Sequence, residues 1–229
     1  MDQRVDESPR TRRYHAPRRA AAAEETRRDI LRAAKEEFEE RGWAATTMRS
    51  IAMSAGVSPK TVEALFATKP ALLEATLLVA LRGDAANTDT LAEIRPEAVL
   101  EVRGEAVREV EGAPDAATML ELQSAVVVEV NARAARLCWV VETAVPSDGR
   151  LAEIGARMTE VLLFGVRWSA DVVLRKPGVR AGLTPREAEE TFLIALDWST
   201  YRTLTTRGDM GPEEVRAWIT RYCRRMLLA

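Results

Sequence analysis

The chain has 229 residues, a formal net charge of −2, 30% charged residues, one histidine and two cysteines. This length fits one large domain, or a small domain followed by a larger one. The single histidine, His15, lies in a polar leader. The folded part therefore has no imidazole for a Ser-His-Asp or Cys-His-Asn triad or for a histidine-rich metal site.

Cysteine spacing and hydropathy favour the cytoplasm. Cys138 and Cys223 are far apart and belong to no CxxC pattern, so the sequence predicts neither a zinc site nor a secreted disulfide framework. The basic N-terminus lacks the apolar segment of an export signal, and no apolar run approaches the ~18 residues that a membrane span needs. We therefore expect a cytoplasmic protein with no cofactor, no metal and no membrane partner.

Residues 1–23 are predicted to form a basic N-terminal arm. Residues 1–28 contain eight arginines against five acidic residues, and the leader has almost no large apolar residue. This composition favours a segment without packed structure, which is either a solvated tail or an arm that contacts DNA. In the second case Arg18 and Arg19 reach DNA, and deleting residues 1–20 should weaken binding and lower its salt dependence.

Residues 24–69 show three helical patterns separated by two breaks. Ile30, Ala34 and Phe38 recur at helical spacing, and Gly42 is predicted to end this first helix. The next two helices begin at the N-cap signals Thr46-Thr47 and Ser58-Pro59, and end at Gly56 and about Phe66.

The second and third patterns together predict a helix-turn-helix, whose second helix presents its N-terminal end to the DNA major groove. A small core is expected from Ala52, Val57, Val62 and Phe66. This stretch resembles the N-terminal signature of the TetR-type transcriptional regulators, T-T-x-R-x-I-A, A-G-V-S, T-[LV], F and K-x-A-L-L. Residues 24–75 match the signature in register, whereas the rest of the chain matches only in being helical and of the right length.

The resemblance implies an all-α fold with two folded domains. A three-helix DNA-binding domain with the helix-turn-helix occupies residues 24–69, and a larger helical domain for ligand binding and dimerisation occupies residues 70–229. The family also implies near-palindromic double-stranded operator DNA, a homodimer and a small-molecule effector as partners.

The DNA-binding residues follow from the same motif. Arg49 is implied to contact guanine or phosphate, since its planar fork suits both. Thr47 caps the second helix and presents its amide end to a phosphate. Lys60 is expected to reach a base or a phosphate. The full set is Thr47, Arg49, Ser58, Pro59, Lys60, Thr61 and Lys69, with Arg18 and Arg19 added by the arm.

The sequence departs from the family at two positions of the recognition helix. Family members usually have aromatic residues or histidine that contact the DNA backbone where this chain has Glu63 and Leu65. A carboxylate repels phosphate, so Glu63 either accepts from a cytosine amino group or turns toward a neighbouring arginine. Leu65 is predicted to lie in the core.

Beyond residue 69 the pattern is almost entirely helical. Residues 85–114 have no clear period and are expected to form a surface connection or weak helices. Helices are predicted at about 70–84, 115–144 with a break near Asn131 or Ala132, 149–175, 184–207 and 212–228.

Two sets of residues in this region are predicted to form a ligand pocket and a dimer interface. Aromatic and methionine side chains with a few polar groups suit an apolar ligand pocket, and the candidates are Met119, Glu129, Arg133, Arg136, Trp139, Met158, Phe164 and Trp168. The last two predicted helices are apolar on both sides, which favours a symmetric partner; the interface candidates are Phe192, Leu196, Trp198, Leu204, Trp218, Tyr222 and Met226.

The sequence thus predicts a dimeric repressor that a small molecule releases from its operator. One alternative is a ligand-independent or architectural DNA-binding regulator, which a core without a cavity would favour. A helical enzyme is the third reading; the missing histidine, the absence of a G-x-x-x-x-G-K loop and the lack of a carboxylate dyad oppose it.

Overall fold

The computed structural model describes residues 16–83 and 104–229, with side chains described from residue 20 onward. Within these ranges every regular element is helical, which confirms the predicted all-α fold. An isolated bridge between Val179 and Leu228 is the one β contact in the described residues. The helices are α1 (Ala16–Ala45), α2 (Met48–Ser54), α3 (Pro59–Phe66), α4 (Lys69–Arg82), α5 (Gly104–Gly112), α6 (Ala116–Ala144), α7 (Gly149–Leu174), α8 (Pro185–Leu196), α9 (Trp198–Thr206) and α10 (Pro212–Leu227).

Helix α1 begins inside the segment predicted to be an unstructured arm. The four alanines of residues 20–23 extend the helix toward the N-terminus, because alanine has the highest intrinsic helix propensity. The predicted arm is therefore wrong for residues 16–23. Residues 1–15, and the side chains of Arg18 and Arg19, lie outside what the structure describes.

The breaks around the helix-turn-helix follow the sequence prediction. Gly42 has φ 70° and interrupts the regular helix of α1, and Gly56 has φ 68° in the turn between α2 and α3. Only glycine adopts this part of backbone space without strain. Thr46 is buried behind the first break, where its hydroxyl donates to the carbonyls of Glu37 and Gly42 at 3.0 and 2.8 Å.

Two cores stabilise the molecule, and the first joins helices α1 to α3 to the rest. Ile30, Phe38, Ile51 and Val62 are fully buried in one cluster with Leu137 of α6. Helix α6 packs against both α1 and α4. The second core lies between α6, α7, α8 and α10.

Side-chain caps begin the helices of the larger part. Asp115 Oδ1 accepts from the Thr118 amide at 2.7 Å at the start of α6, and Asp148 Oδ1 accepts from the Arg150 amide at 2.9 Å at the start of α7. Such caps satisfy amide groups that have no partner within the helix. Helices α7 and α10 lie within one residue of their predicted bounds.

Two predictions about helix breaks are wrong. Helix α6 is continuous from Ala116 to Ala144, because the buried amide of Asn131 donates to the Leu196 carbonyl at 3.4 Å and packs against the neighbouring helix. The single helix predicted over residues 184–207 is divided at Asp197, whose Oδ1 accepts from the Ser199 amide at 2.6 Å and starts α9.

The uncertain segment, residues 85–114, contains α5 where the structure describes it; residues 84–103 lie outside the described ranges. No single described helix has the length and hydropathy of a membrane span, although the bent pair Pro59–Phe66 and Lys69–Arg82 passes that test when its two helices are taken together.

Candidate nucleic-acid interface and inner cavity

Helix α3 has one buried face and one exposed face. Val62 and Phe66 pack into the first core, whereas Lys60, Glu63 and Ala64 are exposed. Because residues three and four apart share a helix face, the exposed side chains form one continuous surface. That surface is free in the described residues to meet the edges of base pairs in a major groove.

The N-terminal end of α3 is fixed by two hydroxyl groups. Ser58 Oγ accepts from the Thr61 amide at 3.1 Å and lies 2.8 Å from Thr61 Oγ1, and Pro59 occupies the first turn. This cap confirms the prediction for Ser58 and Pro59 as helix-starting residues. The amide end of the helix is thereby held in one geometry.

Helix α2 contributes a second capped end. Thr47 Oγ1 accepts from the Ser50 amide at 3.0 Å, and Ser50 Oγ accepts in return from the Thr47 amide at 3.1 Å, which confirms Thr47 as the N-cap. Arg49 follows in the first turn and is exposed. Neither Arg49 nor Lys60 forms an ion pair with any described residue, so both cations are available to a phosphate or a base.

Lys69 is placed differently from the other predicted DNA contacts. Its ammonium lies 4.0 Å from the centroid of the Trp43 ring and donates to the Trp43 carbonyl. Partial burial lowers the pKa of Lys69. Trp43 in turn stacks on Phe38 at 6.1 Å between centroids. Lys69 therefore links the start of α4 to the end of α1. A phosphate could bind this ammonium only in addition to its contacts with Trp43.

The two departures from the family pattern lie on the exposed side of α3. Glu63 is exposed and forms no ion pair with the described residues, which leaves its carboxylate on the same surface as Lys60. Leu65 is 39% exposed, so its predicted place in the core is wrong. Its neighbour Phe66 lies in the core as predicted, and Leu65 points elsewhere because each step along a helix turns the side chain by about 100°.

A cavity of about 130 Å³ lies in the larger part of the molecule, between α5, α6, α7 and the α8–α9 junction. Its described lining is apolar except for Gln123, Asn131 and the thiol of Cys138. Burial raises the pKa of the Cys138 thiol far above its ordinary range, so this group stays neutral. The remaining lining residues are Leu81, Ala106, Val107, Val110, Val126, Val127, Val130, Met158, Val161, Leu162, Phe164, Gly165, Trp168, Leu196 and Trp198.

Three of the eight predicted pocket residues line this cavity: Met158, Phe164 and Trp168. Met119 does not, because it is fully buried in the second core. The remaining four lie on α6 outside the cavity, since α6 turns a different face to it; these are Glu129, Arg133, Arg136 and Trp139.

These four α6 residues make contacts of their own. Glu129 Oε1 accepts from Arg133 Nη1 at 2.5 Å, and Arg133 Nε donates to the Ala80 carbonyl at 3.0 Å. Arg136 reaches the Glu39 carbonyl at 3.2 Å, and Arg202 lies 3.8 Å over the Trp139 ring. Arg133 and Arg136 thus dock α6 onto α4 and α1 and do not face the cavity.

The predicted interface residues lie in three different places: the core, the cavity wall and the surface. Phe192 is fully buried within the chain, so its assignment to a subunit interface is wrong. Leu196 and Trp198 line the cavity, and Leu204 packs against the second core. The Trp218 and Tyr222 rings are stacked 5.3 Å apart on α10 and are partly exposed.

The exposed apolar surface near the C-terminus includes two residues that the sequence did not single out. Leu193 and Ile194 of α8 are 38% and 46% exposed, and Met226 of α10, which was predicted, is 46% exposed. Helix α8 ends just after Leu193 and Ile194, before the break at Asp197 that the prediction of one long helix missed. Among the described residues, no cluster of histidine, cysteine and carboxylate side chains is suited to a metal ion.

Comparison with known proteins links the chain to bacterial regulators. Residues 30–76 match the family described as "Bacterial regulatory proteins, tetR family". No match was found among curated proteins.

Solved structures resemble the whole described fold. NalD of Pseudomonas aeruginosa, the secondary repressor of the MexAB-OprM multidrug efflux pump, is 20% identical and has a TM-score of 0.62, covering 90% of this chain and 97% of its own. A TetR-family regulator of Mesorhizobium loti is 16% identical with a TM-score of 0.61, covering 89% of this chain and 96% of its own. At these identities the likeness establishes the shared fold.

Proposed function

We propose that this protein, a TetR-type helix-turn-helix regulator, is a dimeric repressor that binds a near-palindromic operator and is released from it by a small molecule. The exposed face of α3 carries this proposal. Lys60 stands there without an ion-pair partner among the described residues, beside a helix end that Ser58 and Thr61 hold in place. These are the features of a major-groove reader.

The cavity supports regulation by a ligand. A core filled throughout would favour the ligand-independent alternative, whereas this molecule has an apolar cavity next to helices that also contact the DNA-reading unit. Leu81 of α4 lines the cavity, and α4 packs directly against α1. A ligand that binds one arrangement of these helices better than another shifts the population of DNA-binding conformers.

Exposed apolar side chains support the dimer. Leu193 and Ile194 of α8 and Met226 of α10 leave apolar surface exposed on two helices that pack together. A two-fold partner that covers it would place two α3 helices on two half-sites. Two half-sites also give a small reader the specificity that one lacks.

Selection of genomic DNA fragments by the purified full chain tests this function. We expect enrichment of a near-palindrome whose half-sites are about one helical turn apart. The Lys60→Ala variant should enrich the same fragments less strongly than the unaltered chain, whereas Arg186→Ala, which removes an exposed cation on α8, serves as the control. Enrichment that follows no shared sequence would contradict a sequence-specific regulator.

A further inference from the structure

The side-chain amide of Gln123 is the least satisfied polar group in the cavity wall. Gln123 is 7% exposed, and its Nε2 donates to Ser169 Oγ at 3.2 Å. Ser169 is fully buried, and its hydroxyl donates to the Gly165 carbonyl at 2.8 Å, so it has no hydrogen left to donate to Gln123. Gln123 Oε1 is buried and has no hydrogen-bond partner.

An unpaired acceptor of this kind is costly in an apolar wall. Burying a polar group without a partner costs about 1–3 kcal/mol, so an unpaired acceptor in a cavity wall is a place where a bound ligand group would be stabilised. Exchanging the amide nitrogen and oxygen by rotation leaves the other end of the same amide unpaired. A ligand hydroxyl satisfies both orientations because it donates and accepts.

The rest of the cavity restricts the ligand further. None of the described lining residues is charged, and the Trp168 indole turns its Nε1 away to donate to Glu111 at 3.1 Å. An ionised carboxylate or ammonium would therefore be buried without a counter-charge, at a cost of several kcal/mol or more. The size of about 130 Å³ is close to that of an engineered apolar cavity of about 150 Å³ that binds benzene.

We infer that the cavity takes a compact, neutral, mainly apolar molecule of about one ring that carries a hydroxyl group, and that this hydroxyl bonds the Gln123 side chain. The inference rests on the proposed ligand-binding function and narrows its ligand class. Gln123 then acts as the specificity residue, while the valines of α6 and Phe164 provide the apolar surface.

Calorimetric titration of the full chain with three ring compounds of similar size tests the inference. Phenol offers a hydroxyl, toluene is its apolar counterpart, and benzoate carries a charge. We expect phenol and toluene to bind and benzoate to bind at least roughly tenfold more weakly than phenol, because its charge would be unpaired. The Gln123→Met variant keeps the side-chain volume and removes the amide.

The decisive quantity is the ratio of the toluene Kd to the phenol Kd. Gln123→Met should lower this ratio about tenfold, since only phenol loses a hydrogen bond. Glu153→Gln, which alters an exposed residue of α7 that does not line the cavity, should leave the ratio unchanged. Gln123→Leu repeats the test if the methionine variant does not fold, and the weak binding of benzoate is measured on the unaltered chain.

The outcomes separate this inference from the proposed function. Binding of phenol and toluene with the same ratio in Gln123→Met would overturn the role of the amide and leave a ligand-binding regulator. Benzoate binding as tightly as phenol would overturn the neutral ligand class alone. If none of the three binds, this inference fails, whereas release of the chain from its selected DNA by another small molecule would still support the proposed function.

Discussion

Arg49 and Lys60 are the positive residues of the unit formed by α2, its turn and α3, and neither has an ion-pair partner among the described residues. Most other cations on the neighbouring helix are already engaged: Arg41 lies 3.2 Å from the buried carboxylate of Glu37, and Arg32 pairs with Asp29. An unpaired exposed cation keeps its full attraction for phosphate. At the residue scale, the proposed DNA binding is therefore expected to depend first on these two side chains.

Replacing Lys60 or Arg49 by alanine should weaken binding to the selected DNA by roughly tenfold each. Loss of a phosphate contact also reduces the slope of log K against log salt by about one, whereas loss of a base contact relaxes the sequence preference at one position. Fluorescence anisotropy at several salt concentrations separates the two. The control is Arg186→Ala, which removes an exposed cation on α8 that pairs with Glu190 at 2.8 Å. Equal effects of all three substitutions would mean that only net charge matters.

Glu187 makes stability depend on pH in acid. The Thr184 amide and hydroxyl and the Arg180 guanidinium bond its carboxylate, and they lower its pKa from 4.5 to about 2. This stabilisation is complete above about pH 4.5 and is lost as the pH falls toward 2. At neutral pH, Glu187→Gln should therefore unfold at a lower temperature than the unaltered chain. It should also lose less stability than the unaltered chain as the pH falls from about 4.5 to about 2. Glu189→Gln, on the same helix, should follow the unaltered chain. A constant difference between Glu187→Gln and the unaltered chain at every pH would contradict this assignment.

At the scale of helices, the residues that begin a helix were easier to predict than the side of the helix that faces the cavity. The caps at Thr47 and Ser58 follow from hydrogen bonds within three residues, so their chemistry is visible in the sequence. The face that α6 turns to the cavity depends on α5, α7 and α9, and the sequence does not show how these helices pack. For this reason Met158 and Trp168 of the candidate set line the cavity, whereas Arg133 does not.

The ends of α4 and α5 offer a matched pair of glycine substitutions. Gly83 has φ 88°, and a Cβ atom there would lie 3.4 Å from the Arg133 guanidinium. Gly83→Ala should lower the free energy of unfolding by about 1 kcal/mol because alanine is strained in this conformation. Gly112→Ala, with no atom within 4 Å of its Cβ, should be neutral or slightly stabilising in denaturant titrations. Equal effects of the two would contradict the assigned strain.

An ion pair links α4 to α7. Glu74 is 3% exposed, and its Oε2 accepts from Arg150 Nη2 at 3.0 Å. Single and double substitutions Glu74→Gln and Arg150→Met should show a coupling of about 1 kcal/mol in unfolding free energy. Glu153→Gln removes the exposed partner of Arg150 and should have little effect. Additive effects of Glu74→Gln and Arg150→Met would show that the pair does not hold the two helices together.

At the scale of the whole molecule, the charge distribution divides the sequence into two parts, whereas the hydrophobic core does not. Residues 1–75 contain 14 basic and 12 acidic residues, whereas residues 76–229 contain 19 basic and 23 acidic ones, so an acidic larger part masks a modestly basic reader. The first core nevertheless contains Ile30, Leu137 and Ile154, so residues of both parts pack together in it. The predicted boundary at residue 69 marks the start of α4 and interrupts no packing.

The all-α fold and the helix-turn-helix were predictable because helical periodicity and a short motif encode them locally. The cavity and the exposed apolar surface were not, because each depends on helices distant in sequence. Gln123 shows this limit: its unpaired oxygen becomes visible only when Ser169 of α7 lies beside it.

The most direct test of the central claim is the binding of the full chain to its selected palindrome when the spacing of the half-sites is changed. We predict two chains per site, and a large loss of affinity when about half a helical turn, roughly 5 base pairs, is inserted between the half-sites, because the two α3 helices then face opposite sides of the duplex. One chain per site, or an affinity that ignores the insertion, would contradict a dimeric reader of operator DNA.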